Sequence, residues 1–249
     1  MRHIASLSFG KDSLAMVLEL MRREDPLDEA VFFNTGMEFD AIYRTRDRAV
    51  PIMKAHGVKY TELKMEPSFR YLMLEKPGLK KNGEHACGYG WCGWRFRWGT
   101  KKKAIALGER EKQYGETVGY IGIAADEAHR AKKKKGKCYP LVEWGLTEED
   151  CLKICYANGF FWEQDGVRLY NIMPNVSCWC CRNKSISTLR NMYRYLPDVW
   201  QKLCRLQERC EAPYLGKRGS IFDLEKRFRL ELEAERKQIR IEEVPLGGH

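Results

Sequence analysis

Apolar residues in the first part of the chain fall into short runs that alternate with helical stripes. Ile4-Ala5-Ser6-Leu7 has the composition of a buried strand, and after a polar loop Leu14, Val17, Leu18 and Met21 recur at helical spacing. Ala30-Val31-Phe32-Phe33 predicts a second buried strand, Ile42, Ala49, Ile52 and Met53 the apolar face of a second helix, and Tyr60-Thr61-Glu62-Leu63 a third strand. Residues 64–99, rich in Gly and Trp, predict irregular structure; regular structure resumes near Thr100, and Val118 to Ile123 form a further central strand. Strands that alternate with helices bury both sheet faces, so the expected fold class is α/β, doubly wound around a mostly parallel sheet.

Beyond residue 140 the pattern turns helical. The Thr147 hydroxyl is placed to cap a helix with Asp150 reciprocating, and Gly159 ends it. Leu189, Met192, Tyr193 and Leu196 form the next stripe, Pro197 breaks it, and Val199, Trp200, Leu203 and Leu206 form another. Leu224, Phe228 and Leu232 share one face of a charged final helix. The expected organisation is a nucleotide-type α/β core over residues 1–145 and a helical, cysteine-bearing extension over 146–249, with no internal repeat.

Composition sets the remaining bounds. The chain has 249 residues, 44% apolar and 31% charged, enough to bury a core and outside the range of disorder. No apolar run approaches the ~20 residues of a membrane span and no signal-peptide pattern opens the chain, so a cytoplasmic location without membrane contact is expected. In a reducing compartment the ten cysteines are core residues, metal ligands or reactive thiols and not a disulfide framework. A net charge of +10, from 44 Lys and Arg against 34 Asp and Glu, favours anionic partners. Part of the excess lies in Lys101-Lys102-Lys103 and in Lys132 to Lys135, the latter reading as a solvated loop.

Ser8-Phe9-Gly10-Lys11-Asp12-Ser13 links the first strand to the first helix. The unpaired N–H groups of a helix N-terminus face an anion there, Gly10 lets the backbone come close, Ser8 and Ser13 add hydroxyls, and Lys11 adds charge. A Walker A pattern is absent. The loop resembles the PP-loop of ATP pyrophosphatases, Ser-Gly-Gly-x-Asp-Ser, with Phe9 in place of the first Gly.

Three other segments are similar to the phosphoadenosine phosphosulfate (PAPS) reductase family in the right order. Asn34-Thr35-Gly36 with Phe39 resembles its Asp-Thr-Gly-x-x-Phe, with Asn34 for Asp; Arg97-Trp98-Gly99-Thr100 resembles Arg-Trp-Cys-Thr, with Gly99 where the thiol stands; Gly122 to Arg130 resembles Gly-Ile-Arg-x-Asp-Glu-x-x-Arg, with Ala124 for Arg. The resemblance implies an adenine nucleotide, ATP or PAPS, across the carboxyl ends of the strands. Ser8, Gly10, Lys11, Asp12 and Ser13 would hold phosphate, Asn34, Thr35 and Gly36 would approach ribose or base, and Arg97 would reach phosphate. Asp126, Glu127 and Arg130 would orient Mg2+ or a second anion, with helix N-terminal capping an equal alternative for Asp126 and Glu127, and Lys11, Asp12, Asp126 and Arg130 are the candidate catalytic residues.

Cys178-Trp179-Cys180-Cys181 contains a Cys-x-x-Cys pair, and Cys155 precedes it on a predicted helix. Cys155, Cys178 and Cys181 are expected to hold one metal centre, with Cys180 or Cys92 as a fourth ligand; thiolates suit an iron–sulfur cluster or zinc. The cysteine run, with the Leu-Arg helix and Pro-x-x-Trp segment after it, resembles the prokaryotic and phage-type branch of the family, whose DNA phosphorothioation and tRNA thiolation relatives commonly carry iron–sulfur clusters.

Three functions are weighed. The first is ATP activation of an acceptor by cleavage between the α- and β-phosphates, coupled to sulfur transfer; this reading admits a nucleic-acid acceptor, a sulfur-donor protein and a homodimer. The second is a PAPS reductase, whose C-terminal Glu-Cys-Gly nucleophile has no match, since the last cysteine is Cys210 and the chain ends at Val244 to His249. The third is a nucleotide-sensing or DNA-binding module without turnover, for which Trp94-Arg95-Phe96-Arg97-Trp98 offers rings that could stack on bases.

Overall fold

A computed structural model describes residues 1–79, 83–132 and 134–242, with side chains described as far as residue 238. Lys133 of the second lysine run and the end of the chain from Glu243 onward lie outside the described residues.

The chain opens with β1 (Arg2–Leu7), α1 (Lys11–Arg22), β2 (Glu29–Asn34), α2 (Asp40–Ala55) and β3 (Lys59–Lys64). After α3 (Phe69–Leu74) and a small antiparallel hairpin of β4 (Pro77–Leu79) and β5 (His85–Cys87) come α4 (Trp98–Lys112) and β6 (Thr117–Ile121). A 3-10 turn, Ala125–Arg130, leads to β7 (Lys137–Cys138). The central sheet has five strands in the order β3-β2-β1-β6-β7, and every pair in it is parallel. The first two crossovers step from β1 towards β3 and the third steps back to β6. The right-handed rule therefore places α4 on the opposite face from α1 and α2. The neighbours of β1 are reached in opposite directions, which opens a crevice at its carboxyl end, where ligands bind in such sheets.

The second part of the chain contains α5 (Pro140–Glu143), α6 (Glu148–Ala157), a short hairpin of β8 (Glu163–Gln164) and β9 (Val167–Arg168), α7 (Leu169–Ile172), α8 (Ile186–Tyr195), α9 (Pro197–Arg209) and α10 (Ile221–Glu242). Thr147 and Asp150 form the expected reciprocal capping box at the start of α6, and Gly159 follows its end at φ +76°. α6 packs on the outer side of α1. That contact explains why α1 is buried nearly all round, including Ala15, Met16 and Leu20 outside the expected stripe. One apolar cluster runs from Leu7 and Phe32 through Cys155 and Trp162 to Leu203 and Phe228, so the helices after residue 146 and the sheet share a core.

Two expectations are corrected. Ile52 does not join Ile42, Ala49 and Met53 in the core and is 38% exposed. Residues 64–99 are not irregular throughout, since α3 caps on Ser68 and buries Phe69, Leu72, Met73 and Leu74. No helix among the described residues is long and apolar enough to cross a membrane.

Candidate functional site

A cleft of about 380 Å³ opens at the carboxyl ends of β1, β2 and β6. Its floor is the loop before α1. Phe9 takes the position of a PP-loop glycine at φ +55° and turns its ring into the core against Phe32, while its carbonyl accepts from Trp162 Nε1 at 2.7 Å. The bulky residue is tolerated because the ring is fully buried, offsetting the cost of a left-handed backbone. Ser8 and Ser13 hydroxyls pair at 2.9 Å, and the Ser8 N–H donates to Ser13 Oγ at 3.1 Å, closing the loop. Gly122 at the end of β6 is needed for close approach: a Cβ there would lie 2.9 Å from Ser13 Cα.

Ser8, Gly10, Asp12 and Ser13 line the cleft as expected, together with Thr35, Glu127 and Arg130. Lys11 does not. Its side chain is 4% exposed and runs beneath the loop to Glu148 at 2.7 Å and Asp12 at 3.1 Å. The lysine therefore ties α1 to α6 instead of presenting charge to a phosphate, which corrects its expected role. Asp12 Oδ1 is buried and makes no hydrogen bond, because Lys11 Nζ approaches it off the bonding direction. Burial pushes the Asp12 carboxyl above its ordinary value against the pull of Lys11, with Glu148 and Glu127 adding to the rise.

Four other expected residues are placed elsewhere. Asp126 accepts from the Glu148 N–H at 3.1 Å and so caps α6. Asn34 spends its side chain on Glu62, Tyr43 and the Gly36 N–H, holding the β2 loop, and neither it nor the exposed Gly36 lines the cleft. Arg97 starts α4 facing outward, donating to the Trp94 carbonyl at 3.1 Å.

The opposite wall carries sulfur. Cys92, Cys178, Cys180 and Cys181 all line the cleft. The Trp179 N–H donates to the Met37 carbonyl at 3.0 Å and the Arg182 N–H to the Cys92 carbonyl at 3.4 Å, which fixes the cysteine loop against the β2 loop and against residues 92–93. Cys92 Sγ accepts from the Gly99 N–H at 3.3 Å, and a Cβ on residue 99 would stand 3.1 Å from that sulfur. Cys92 thus fills the space beside Gly99, the position where the resembling family segment carries its thiol. Burial holds the Cys92, Cys178 and Cys180 thiols above the ordinary thiol value.

Cys155 is separated from these four. Its thiol is buried between α1 and α6 and donates to the Lys11 carbonyl at 3.3 Å. A zinc or iron–sulfur centre needs three or four protein ligands, and among the described residues no group of three or more His, Cys, Asp or Glu is arranged to hold a metal ion. Cys155 therefore does not join the expected set with Cys178 and Cys181, whereas Cys178, Cys180, Cys181 and Cys92 share the cleft wall.

Several lining residues had no part in the expectations. Glu38, whose carboxylate accepts from Thr35 Oγ1 at 2.8 Å, is raised by burial, although Thr35, Lys103 and Lys184 all pull it down. Lys103 shares a helix face with Thr100 at i, i+3 spacing, a signal legible in the sequence. Tyr170 comes from α7 and gave no local signal.

Residues 2–150, more than half the chain, match the phosphoadenosine phosphosulfate reductase domain family. The chain belongs to this family. The cleft lies at the carboxyl ends of the parallel strands of the matched domain, the place where open α/β sheets bind ligands. Tyr170 and the Cys178 to Cys181 run reach it from beyond the matched domain. An uncharacterized protein of Methanocaldococcus jannaschii, MJ0066, is 23% identical over 233 residues, covering 86% of this chain; the chain spans 43% of that relative's length.

Proposed function

We propose that the protein binds ATP along the cleft, cleaves it between the α- and β-phosphates to activate an acceptor oxygen, and replaces that oxygen with sulfur delivered through the cleft thiols. The observation that carries this reading is the continuity of one cleft from the Ser8–Ser13 loop to Cys92, Cys178, Cys180 and Cys181. N–H groups of the first turn of α1 and the Ser8 and Ser13 hydroxyls would take phosphate oxygens, with Lys103 and Arg130 supplying charge. Thr35 would meet the ribose or base. The buried Asp12 Oδ1, ion-paired with Lys11 but without a hydrogen bond, and the Glu127 carboxylate, paired with Arg130, would serve Mg2+, which needs only one or two protein carboxylates beside phosphate oxygens. Bound there, the ion would neutralise charge on the phosphates.

The acceptor oxygen attacks the α-phosphorus, the bond to the bridging oxygen breaks, and pyrophosphate leaves with the electron pair. A cleft thiolate attacks the outer, sulfane sulfur of a persulfide on a sulfur-donor protein, the donor's S–S bond breaks and its cysteine leaves as a thiolate; the persulfide so formed attacks the activated acceptor carbon, and AMP leaves with the original oxygen. A second cleft thiol then attacks the inner sulfur, releases the thiolated acceptor and leaves a disulfide for a cellular dithiol to reduce. The test is product analysis: AMP and pyrophosphate formed together support the reading, whereas ADP and phosphate overturn it.

The same thiols favour a second reading, a phosphoadenylyl-sulfate reductase. A cleft thiolate attacks the sulfate sulfur of PAPS, adenosine 3′,5′-bisphosphate leaves, and a second thiol releases sulfite as a disulfide forms. Sulfite from PAPS with a dithiol reductant, without AMP from ATP, decides for it. A nucleotide-sensing module would bind nucleotide and form neither set of products.

A further inference from the structure

Between the cleft and the solvent stands a tight turn that carries rings and unpaired cations. Gly93 and Phe96 bond to each other through both backbone N–H groups, at 3.1 and 2.9 Å. Gly93 is at φ +152° with its Cα against the cysteine loop, where a Cβ would fall 2.7 Å from Arg182 Cβ. Trp94 adopts φ +47°, a conformation that costs a bulky L residue energy, and its N–H is held by Asn183 Oδ1 at 2.8 Å. The strained turn sets the indole against two guanidiniums, Arg182 at 4.7 Å and Arg218 at 4.6 Å from the ring centroid.

The next residue but one, Phe96, is 65% exposed, and Tyr89 is 45% exposed across a groove that Arg95, Arg97, Trp98 and Lys101 complete. Lys76 lies over the Tyr89 ring at 4.7 Å. Among the described residues no carboxylate pairs with Arg95, Arg97, Lys101, Arg182 or Arg218, although elsewhere many of the arginines are paired. Arg182 Nε is buried without a hydrogen-bond partner. Unpaired cations grouped around solvent-facing rings fit a ligand that alternates phosphate with flat apolar faces. Such rings are available to unstacked bases and useless to a duplex, whose bases are already stacked.

We propose that this surface binds single-stranded nucleic acid, with bases stacked on Phe96 and Tyr89 and the phosphate backbone along Arg95, Arg97, Lys101 and the Trp94-held pair Arg182 and Arg218. The strand would run to the mouth of the cleft, because Cys92 and Gly93 line the cleft while Trp94 to Arg97 face the solvent. The inference rests on the proposed sulfur-transfer reading only in naming the bound strand as the acceptor.

The test is fluorescence anisotropy on the full chain with labelled oligothymidylate, oligouridylate and a duplex, without nucleotide, over a salt series. Either single strand should bind more tightly than the duplex, and the comparison of the two tells DNA from RNA. Phe96→Ala, at a side chain too exposed to affect folding, should weaken binding about tenfold. Arg95→Ala should lower the slope of log affinity against log salt by about one. Equal binding of duplex and single strand, no single-strand binding at low salt, or unchanged affinity in Phe96→Ala would each overturn the proposal. Because no nucleotide is present, failure here leaves the AMP and pyrophosphate test of the cleft standing, and failure of that test leaves this one standing.

Discussion

The Tyr170 hydroxyl accepts a hydrogen bond from the Lys11 N–H at 2.8 Å across 159 residues of sequence. A side chain from α7 therefore sits at the N-terminus of α1, on the loop assigned to phosphate. Its ring is braced edge-on by Trp162, at 4.8 Å between centroids, and Trp162 is in turn anchored to the Phe9 carbonyl. The phenol lines the cleft, and among the described residues no hydrogen bond uses its own proton, which leaves it able to donate to a ligand there.

Tyr170→Phe should therefore weaken ATP binding about tenfold, the worth of one hydrogen bond to a charged oxygen. Calorimetric titration checks this. Unchanged or tighter binding would mean that Tyr170 merely blocks the loop.

Lys11→Met should act on stability before it acts on binding. Removing the lysine leaves Glu148 and the buried Asp12 without their cation, a change that costs roughly 3 kcal/mol when a buried pair loses one partner. Urea unfolding should show that loss. Adding Glu148→Gln to the variant should restore part of it, and ATP affinity should fall less than in Lys103→Met, whose charge faces the cleft.

Asp12→Asn should reduce the gain in nucleotide affinity on adding Mg2+ while leaving metal-free binding nearly unaltered, because a carboxylate oxygen that makes no hydrogen bond is matched to a hard cation. Titrations with ATP in Mg2+ and in a chelator separate the two. An equal loss in both would return Asp12 to a purely structural role.

A pH dependence follows from Glu29. Burial raises its carboxyl, but hydrogen bonds from Thr61 and Arg110 outweigh burial and leave it below its ordinary value. A lowered folded-state value means that the group stabilises the fold above the unfolded carboxyl range, near pH 4.5, and that this stability is lost as pH falls through the folded value. Glu29→Gln should melt lower than the wild type at pH 7, and the gap should close on acidification. A constant gap from pH 7 to pH 3 would show that the charge contributes nothing.

Cys155→Ser should leave thiol reactivity in the cleft unchanged, since Cys155 is enclosed between α1 and α6, whereas Cys92→Ser should remove one reactive cleft thiol. Mass spectrometry after alkylation of the native protein distinguishes the two. Loss of cleft labelling in Cys155→Ser would contradict the separation.

The parts legible in the sequence were those governed by short-range physics. Strand composition in Ile4 to Leu7 and Ala30 to Phe33, the stripe on α1, the Thr147–Asp150 box and the Pro197 break each depend on residues within a turn or two, and each stands where the pattern put it. The loop Ser8 to Ser13 was legible as a strand-to-helix connection for the same reason, because the end of a strand and the start of a helix depend on adjacent residues. α3 was missed because six residues are too few for a helical period to show.

Tertiary structure alone decided which way the chemistry faces. Lys11 has the sequence of a phosphate ligand, yet α6 brings Glu148 beneath it and the pair turns the charge inward. Asp126 looks like a metal or anion residue until Glu148 N–H is placed against it; Arg97 turns outward at the start of α4; Cys155 has metal-ligand chemistry but faces Lys11 rather than the other thiols. Tyr170 reaches the site through a hydrogen bond that spans 159 residues, and Cys92 is fixed to the cysteine loop by the Arg182 N–H on its carbonyl; neither contact leaves a period behind. Backbone conformation responds to near neighbours and is written in spacing, whereas the direction of a charged or thiol side chain is set by whichever distant element supplies its partner.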